Sequence, residues 1–203
     1  MDVAARAFAR GGYAGASLND LVRESGVTKG GFYFHFPSKE ALALAVLREK
    51  QGQWAEHVMA AAGRHEAAID QLAAMPAALI DLYEADPSSR AIPRLTVELS
   101  EDPRLGPDMR PMLRTWIELT VSVMRRAQEE GSLRDDVDAA VAAEGAVGAF
   151  LGLEQMAAVD AGGGDLRRRV ERFAGLYLHL LRPSAAAAPP APPARTHRRR
   201  PGR

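Results

Sequence analysis

One stretch constrains this chain more than any other: Ser17–Lys39, SLNDLVRESGVTKGGFYFHFPSK. It reads as two short helices joined by a tight turn. Ser17 and Asp20 form S-x-x-D, a signature of a helix N-terminus. Leu18, Leu21 and Val22 fall at helical spacing and give that helix one apolar face. Gly26 interrupts the pattern as a C-terminal cap does. Thr28 is placed to cap a second helix whose first turn is Lys29, Gly30 and Gly31. Each glycine in a helix costs about 1 kcal/mol against alanine, and a chain that accepts this often needs its backbone close to something else. At a helix N-terminus that something is a phosphate or a base edge. Among Phe32, Tyr33, Phe34, His35 and Phe36, some aromatics pack on neighbouring helices, leaving Tyr33 and His35 to offer polar tips. Pro37 ends the helix, Ser38 caps the next one, and Lys39 opens it. Taken singly, each residue also has a plain structural explanation in tight packing, a half-buried ring or a solvated lysine. In this order they point to a helix-turn-helix, whose second helix enters the DNA major groove.

The run G-V-T-K-G-G-F-Y-F-H-F-P-S-K-E resembles the DNA-binding signature of the tetracycline-repressor (TetR) family of bacterial transcriptional regulators. The preceding A-F-A-R-G-G-Y-A-G-A-S, residues 7–17, is similar to that family's first helix and its exit loop. The resemblance is nearly continuous over residues 3–50. It implies an all-α homodimer: an N-terminal helix-turn-helix domain of three helices, then a larger helical domain for ligand binding and dimerisation. The expected division is 1–50 for DNA binding, 51–183 for ligand and dimer, and 184–203 as a disordered Ala/Pro/Arg tail. The residues expected to meet DNA are Ser17, Thr28, Lys29, Gly30, Gly31, Tyr33, His35 and Lys39. Family members usually carry a basic arm ahead of the first helix, whereas here Met1 lies inside that helix, which is expected to run from Asp2 to Arg10. Either the start is misassigned or the arm is lacking, which would remove phosphate or minor-groove contacts.

The formal net charge is zero, which at first argues against a DNA partner. Its distribution is uneven. Residues 1–50 carry +2, residues 184–203 carry +5, and the middle carries −7. Basic ends and an acidic middle suit a ligand domain held away from DNA. The chain has no cysteine, so disulfides, thiolate metal sites and cysteine nucleophiles are excluded. No 18-residue apolar run suggests a membrane span. No signal-peptide pattern opens the chain, and a cytoplasmic location is the simple expectation. Nucleophile-elbow, Walker, dinucleotide and H-E-x-x-H motifs are all missing, and His57 and His65 lack helix-face metal spacing. Neither an enzyme nor a metal or cofactor is expected.

Beyond residue 39 the pattern predicts helices over 39–63 (bent near Gly52), Glu66–Glu84 (kinked at Pro76), Ile92–Ser100, Asp108–Glu130, Val137–Val159 and Asp165–Leu181. The last two offer a dimer surface. Ala142, Gly145, Ala146, Ala149 and Gly152 form a small-residue face, and Val170, Phe173, Leu176, Tyr177 and Leu180 supply bulk. The same small face is also suited to packing inside one subunit. Met75, Leu79, Leu82, Tyr83, Leu95, Leu99, Trp116, Thr120, Val123, Met124, Phe150 and Met156 are candidates to line an apolar cavity, or simply to fill a core.

The stretches R-L-x-x-E, R-T-W-I-E-L, A-Q-E-E-G-S-L-R-D-D-V-D and A-V-G-A-F-L-G-L-E-Q, within residues 94–155, resemble one branch of the family, the γ-butyrolactone autoregulator receptors. That resemblance implies that Trp116 lies against a bound lactone. Where the branch commonly shows G-A-F-T-G this chain has Leu151 in place of the threonine, which removes a hydroxyl from the expected pocket. The implied partners are a roughly palindromic duplex operator, a small lipophilic effector and a second copy of the chain.

Overall fold

A computed structural model describes residues 1–160 and 165–183. The expected Gly162–Gly164 link and the tail lie outside the described residues. Within them are nine α-helices, one 3-10 turn and no strand. They are α1 (Asp2–Gly15), α2 (Leu18–Ser25), α3 (Lys29–His35), α4 (Lys39–Ala62), α5 (Ala68–Ala85), the 3-10 turn Pro87–Arg90, α6 (Ala91–Ser100), α7 (Gly106–Glu129), α8 (Ala139–Val159) and α9 (Leu166–Leu181). Helices α1 to α3 enclose Ala5, Phe8, Leu21 and Phe32 against Leu42, Val46 and Leu47 of α4. The remaining helices pack α4 on α5, α5 on α7 and α9, and α7 on α8.

Local chemistry sets the boundaries. Ser17, Thr28 and Ser38 cap α2, α3 and α4 by accepting from the N–H groups of Asp20, Gly31 and Ala41. Gly26 ends α2 at φ 68°, a left-handed conformation that suits glycine. Helix α5 begins at Ala68, later than the expected Glu66, because a remote group caps it: the Ala68 N–H donates to the Glu130 carboxylate at 2.8 Å. Pro76 lies inside α5 as expected. Helix α4 stays helical through Gly52 and runs unbroken across the division anticipated at residue 50. The core is likewise continuous from Phe8 to Leu133.

The first helix does not stop at Arg10. It reaches Gly15 through a break at Gly12, whose φ of 69° and ψ of −175° lie in a region essentially restricted to glycine. Helix α6 closes around this break. The Glu98 carboxylate accepts from the N–H of Tyr13 at 2.6 Å and of Ala14 at 3.3 Å. One turn earlier, Arg94 donates to the carbonyls of Ala9 and Arg10 at 3.1 and 3.0 Å. Backbone groups freed by the break thus find charged partners on another helix. A Cβ at Gly12 would come within 2.0 Å of Glu98 Oε1.

A second tie joins α4 to the 3-10 turn. Lys50 is 4% exposed and its ammonium meets the Asp86 carboxylate at 2.8 Å. Asp86 also accepts from the Ser88 N–H and the Ser88 and Ser89 hydroxyls. Burial pushes the Asp86 carboxyl up, but the bonds from Lys50 and Ser88 outweigh it and hold its pKa down at about 2.

Two stability outcomes are expected. Gly12→Ala lowers the unfolding free energy by about 3 kcal/mol, from the forced φ and the clash with Glu98. Urea denaturation measures it, and an unchanged midpoint would refute the tight fit at the break. Asp86→Asn strands a buried ammonium. Because the Asp86 side chain keeps 41% of its exposure, the loss is set at about 2 kcal/mol, below that of a fully buried pair. A carboxyl depressed in the folded state stabilises above its unfolded pKa. The difference between wild type and variant should therefore be full near neutrality and shrink as pH falls from about 4 towards 2.

Candidate functional site

The DNA-facing candidates cluster on and around α3. Its buried side is Phe32, in contact with Tyr33 and Phe36 at ring-centre distances of 6.0 and 5.7 Å. Thr28, Lys29, Gly30 and His35 are exposed, while Gly31, Tyr33 and Lys39 are half-buried. Ser17 is exposed too, at the N-terminus of α2. Phe34, expected to be one of several packing aromatics, is instead 84% exposed. The Lys39 ammonium lies 4.5 Å from the centre of the Tyr13 ring. Burial lowers its pKa, against the raising influence of Glu40 and Glu98. Burial, with help from Glu40, pushes the Tyr13 phenol up to about 12, so the ring stays neutral beneath the cation. The lysine is thereby held at the α1–α4 junction.

The second candidate site is an apolar cavity of about 110 Å³ within the larger helical part. Trp54 and Val58 of α4 and Leu72, Met75, Pro76 and Leu79 of α5 line it. Trp116, Thr120 and Met124 come from α7, and Ala146, Val147, Phe150 and Leu153 from α8. Helix α9 supplies Val170, Phe173, Ala174, Tyr177 and Leu178. Trp54 and Trp116 meet at 4.6 Å between ring centres. The polar groups of the wall are few. The Thr120 hydroxyl donates to the Trp116 carbonyl at 3.0 Å, and the Tyr177 hydroxyl donates to the Ala142 carbonyl at 2.6 Å. The Trp116 indole N–H is buried and has no hydrogen-bond partner among the described residues.

Of the residues anticipated for the cavity, Met75, Leu79, Trp116, Thr120, Met124 and Phe150 line it, and seven others do not. Leu95 and Leu99 are buried in the core where α6 packs on α1, α4 and α7, and Val123 is buried on α7 outside the cavity wall. Tyr83 sits in a separate small core with Ile80, Ala157, Leu166 and Val170. Leu151 packs half-buried against the main core, so its replacement of a threonine leaves the cavity wall untouched. Met156 is exposed on α8. Leu82, also a candidate, is half-buried against the main core.

The five α9 residues expected at the dimer face divide: Val170, Phe173 and Tyr177 turn inward, while Leu176 and Leu180 stay exposed. Part of the small-residue face is likewise internal, since Ala142 is buried and a Cβ at Gly145 would meet the Tyr177 hydroxyl at 3.3 Å. Trp54 and Val58 line the cavity although neither is among the anticipated lining residues, which all come from residue 75 onward. A tryptophan and valine four residues apart were the available signal. On α8, Glu154 is half-buried: burial raises its pKa, and one carboxylate oxygen has no partner among the described residues.

The model of bacterial regulatory proteins of the tetR family matches residues 1–46. TylP, a TetR regulator from Streptomyces fradiae, has a solved structure that is 30% identical to this chain. The match covers 91% of this chain and 85% of TylP, with a TM-score of 0.70. The chain belongs to the TetR family. This TetR protein is therefore a DNA-binding transcriptional regulator and not an enzyme. The A-factor receptor protein of Streptomyces griseus is 31% identical over 195 residues, 92% of this chain. The chain spans 62% of that receptor's own length. A solved γ-butyrolactone receptor, described as ArpA-like, is 26% identical at a TM-score of 0.61, covering 88% of this chain and 94% of the receptor. No helix among the described residues is long and apolar enough to cross a membrane.

If Lys29 and Lys39 from two subunits neutralise four phosphates, log affinity against log salt should fall with a slope of about −3.6. Lys29→Ala should make the slope shallower by about 1.8 across unrelated duplexes. A slope that ignores the substitution would remove Lys29 from the phosphate contacts.

Proposed function

We propose that this TetR protein is a homodimeric, cytoplasmic repressor released from a roughly palindromic operator by a small lipophilic effector, a γ-butyrolactone in the first instance. One observation carries the reading: α4 supplies Trp54 and Val58 to the cavity wall, and the same unbroken helix begins at Lys39, directly after α3. An occupant of the cavity touches the helix on which the recognition helix is mounted.

The cavity's size adds the coupling. At about 110 Å³ it is smaller than the few hundred Å³ of an ordinary ligand site. A lactone with an alkyl chain, taken fully inside, would push the walls apart, and α4 is one of them. The Trp116 indole N–H is buried without a partner among the described residues, so a carbonyl on an occupant that reached it would satisfy it, while the Thr120 and Tyr177 hydroxyls are already committed to backbone carbonyls. The A-factor receptor and the γ-butyrolactone receptor among its relatives support a lactone as the first effector to test.

The dimer surface follows from what stays exposed. On α8, Val141, Gly148, Gly152 and Val159 fall on one helical stripe, and α9 adds Leu176 and Leu180 one turn apart. Pairing these faces across a two-fold axis would set the two α3 helices one DNA turn apart, about 34–36 Å. Displacing α4 in each subunit changes that spacing. By linkage, the effector then favours the DNA-incompetent form by the factor through which it weakens DNA binding.

Fluorescence anisotropy of a duplex from the gene's own upstream region tests this, with and without synthetic γ-butyrolactone. Tight, salt-sensitive binding reversed by the lactone is the expected result. Trp116→Ala should leave operator affinity nearly intact and raise the lactone needed for half release by about tenfold or more. Equal loss of both properties would mark Trp116 as structural only. Binding indifferent to lactone would redirect the effector to another lipophilic class.

A further inference from the structure

The recognition helix carries a feature that nothing inside the subunit explains. Phe34 is 84% exposed in α3. A single exposed phenylalanine is ordinary on a protein surface, but the position of this one is not. Gly30 lies one turn before it, and residues four apart on a helix are neighbours. With about 100° between successive residues, the strip from Gly30 to Phe34 lies opposite the buried Phe32. It is the crest of the helix as α3 stands out from the domain.

Gly30 has no internal reason to be glycine. A Cβ there would meet nothing within 4 Å, and its φ is not in the left-handed region. Gly31 differs, since a Cβ there would come to 3.1 Å from the Thr28 hydroxyl that caps the helix. The helix therefore gives up about 1 kcal/mol at Gly30 for no packing benefit within the subunit. A bare backbone on an exposed crest suits close approach by a second surface, and the ring of Phe34 would be driven into that surface one turn further on. In the DNA major groove the apolar group a base edge presents is the C5-methyl of thymine.

We infer that Phe34 is a specificity-determining residue that reads a thymine methyl group in each operator half-site, with Gly30 admitting the helix to the depth this needs. The inference rests on the DNA-binding reading of α3. It predicts a preference borne by shape and apolar contact, separate from the phosphate contacts of Lys29.

The test uses the full chain and duplexes it enriches from a random pool. Each thymine of an enriched duplex is replaced in turn by deoxyuridine, which keeps the pairing edge and the O4 acceptor and lacks only the methyl. At one fixed thymine per half-site, wild-type affinity should fall about fourfold, and about fifteenfold with both half-sites changed. Phe34→Ala should bind thymine and uracil duplexes equally, with unchanged thermal unfolding because the ring is exposed. Phe34→Leu, which keeps an apolar tip, should retain part of the preference. Gly30→Ala should weaken binding to the thymine duplex and narrow its advantage over the uracil duplex. Enriched duplexes in which every uracil replacement is neutral would overturn the inference while leaving DNA binding intact. A uracil penalty undiminished in Phe34→Ala would do the same. Failure of the wild-type chain to enrich any duplex would overturn the DNA-binding reading and this inference with it.

Discussion

The hold of α6 on the broken end of α1 is the contact on which the relation between the two halves depends. Breaking a helix releases carbonyls on one side and N–H groups on the other. Here Arg94 takes the carbonyls of Ala9 and Arg10, and Glu98 takes the N–H groups of Tyr13 and Ala14. The two side chains also pair with each other at 3.6 Å. A charge-assisted clasp of this kind is directional, unlike an apolar contact, and it loses strength as soon as the geometry opens. The DNA-facing helices are thus fixed to the larger helical part by groups that register small displacements. Gly12 makes the clasp possible, because any side chain there would occupy the space of the Glu98 carboxylate.

Helix α4 supplies the complementary rigid link. It has no interior break, its middle is anchored by the part-buried Lys50–Asp86 pair, and its far end forms part of the cavity wall. A wall displacement at Trp54 or Val58 has little scope to be absorbed within α4. The Lys50 anchor and the α1–α6 clasp are two contacts that such a displacement would load. Both are polar contacts with defined partners, so the protein has a small number of discrete places where two arrangements can differ. This is the kind of element a two-state switch requires, since an effector shifts an equilibrium only through contacts that differ between its states.

How much of this the residue order carries varies with the range of the interaction. The helix-turn-helix was readable to within a residue or two because its caps are local: Ser17, Thr28 and Ser38 each act on an N–H three residues away. The remote contacts were not readable. The extension of α1 past Arg10 depends on Glu98, 85 residues away from Tyr13, and the start of α5 depends on Glu130. The cavity shows the same limit. Nearly half of the anticipated lining residues reach it, but periodicity alone does not say which neighbour an apolar face will meet. Helix α9 has apolar residues both towards the cavity and towards solvent, so assigning it wholly to a dimer surface was too simple. The exposed ring of Phe34 was missed for a related reason: in a run of five aromatics, only the tertiary packing of Phe32 fixes which ring faces out.

Charge explains why an apolar reading residue has room to matter. Residues 1–50 carry a net charge of only +2, which gives modest non-specific attraction to a polyanion. Lys39, one of the few lysines near α3, rests on the Tyr13 ring with its pKa lowered by burial. Weak background attraction narrows the affinity that unrelated DNA receives through phosphate contacts alone. Contacts to base edges then make up a larger fraction of the total. A bare glycine and an exposed ring on the crest of α3 are consistent with that balance: they add little to the attraction for an arbitrary duplex and more to the discrimination between duplexes. In the proposed effector-released dimer, this arrangement has a further consequence. A contact as short-ranged as ring against methyl is lost over a displacement of about an ångström, whereas the Coulomb attraction to phosphate declines gradually with distance. A small change in the spacing of two recognition helices therefore removes specific binding first.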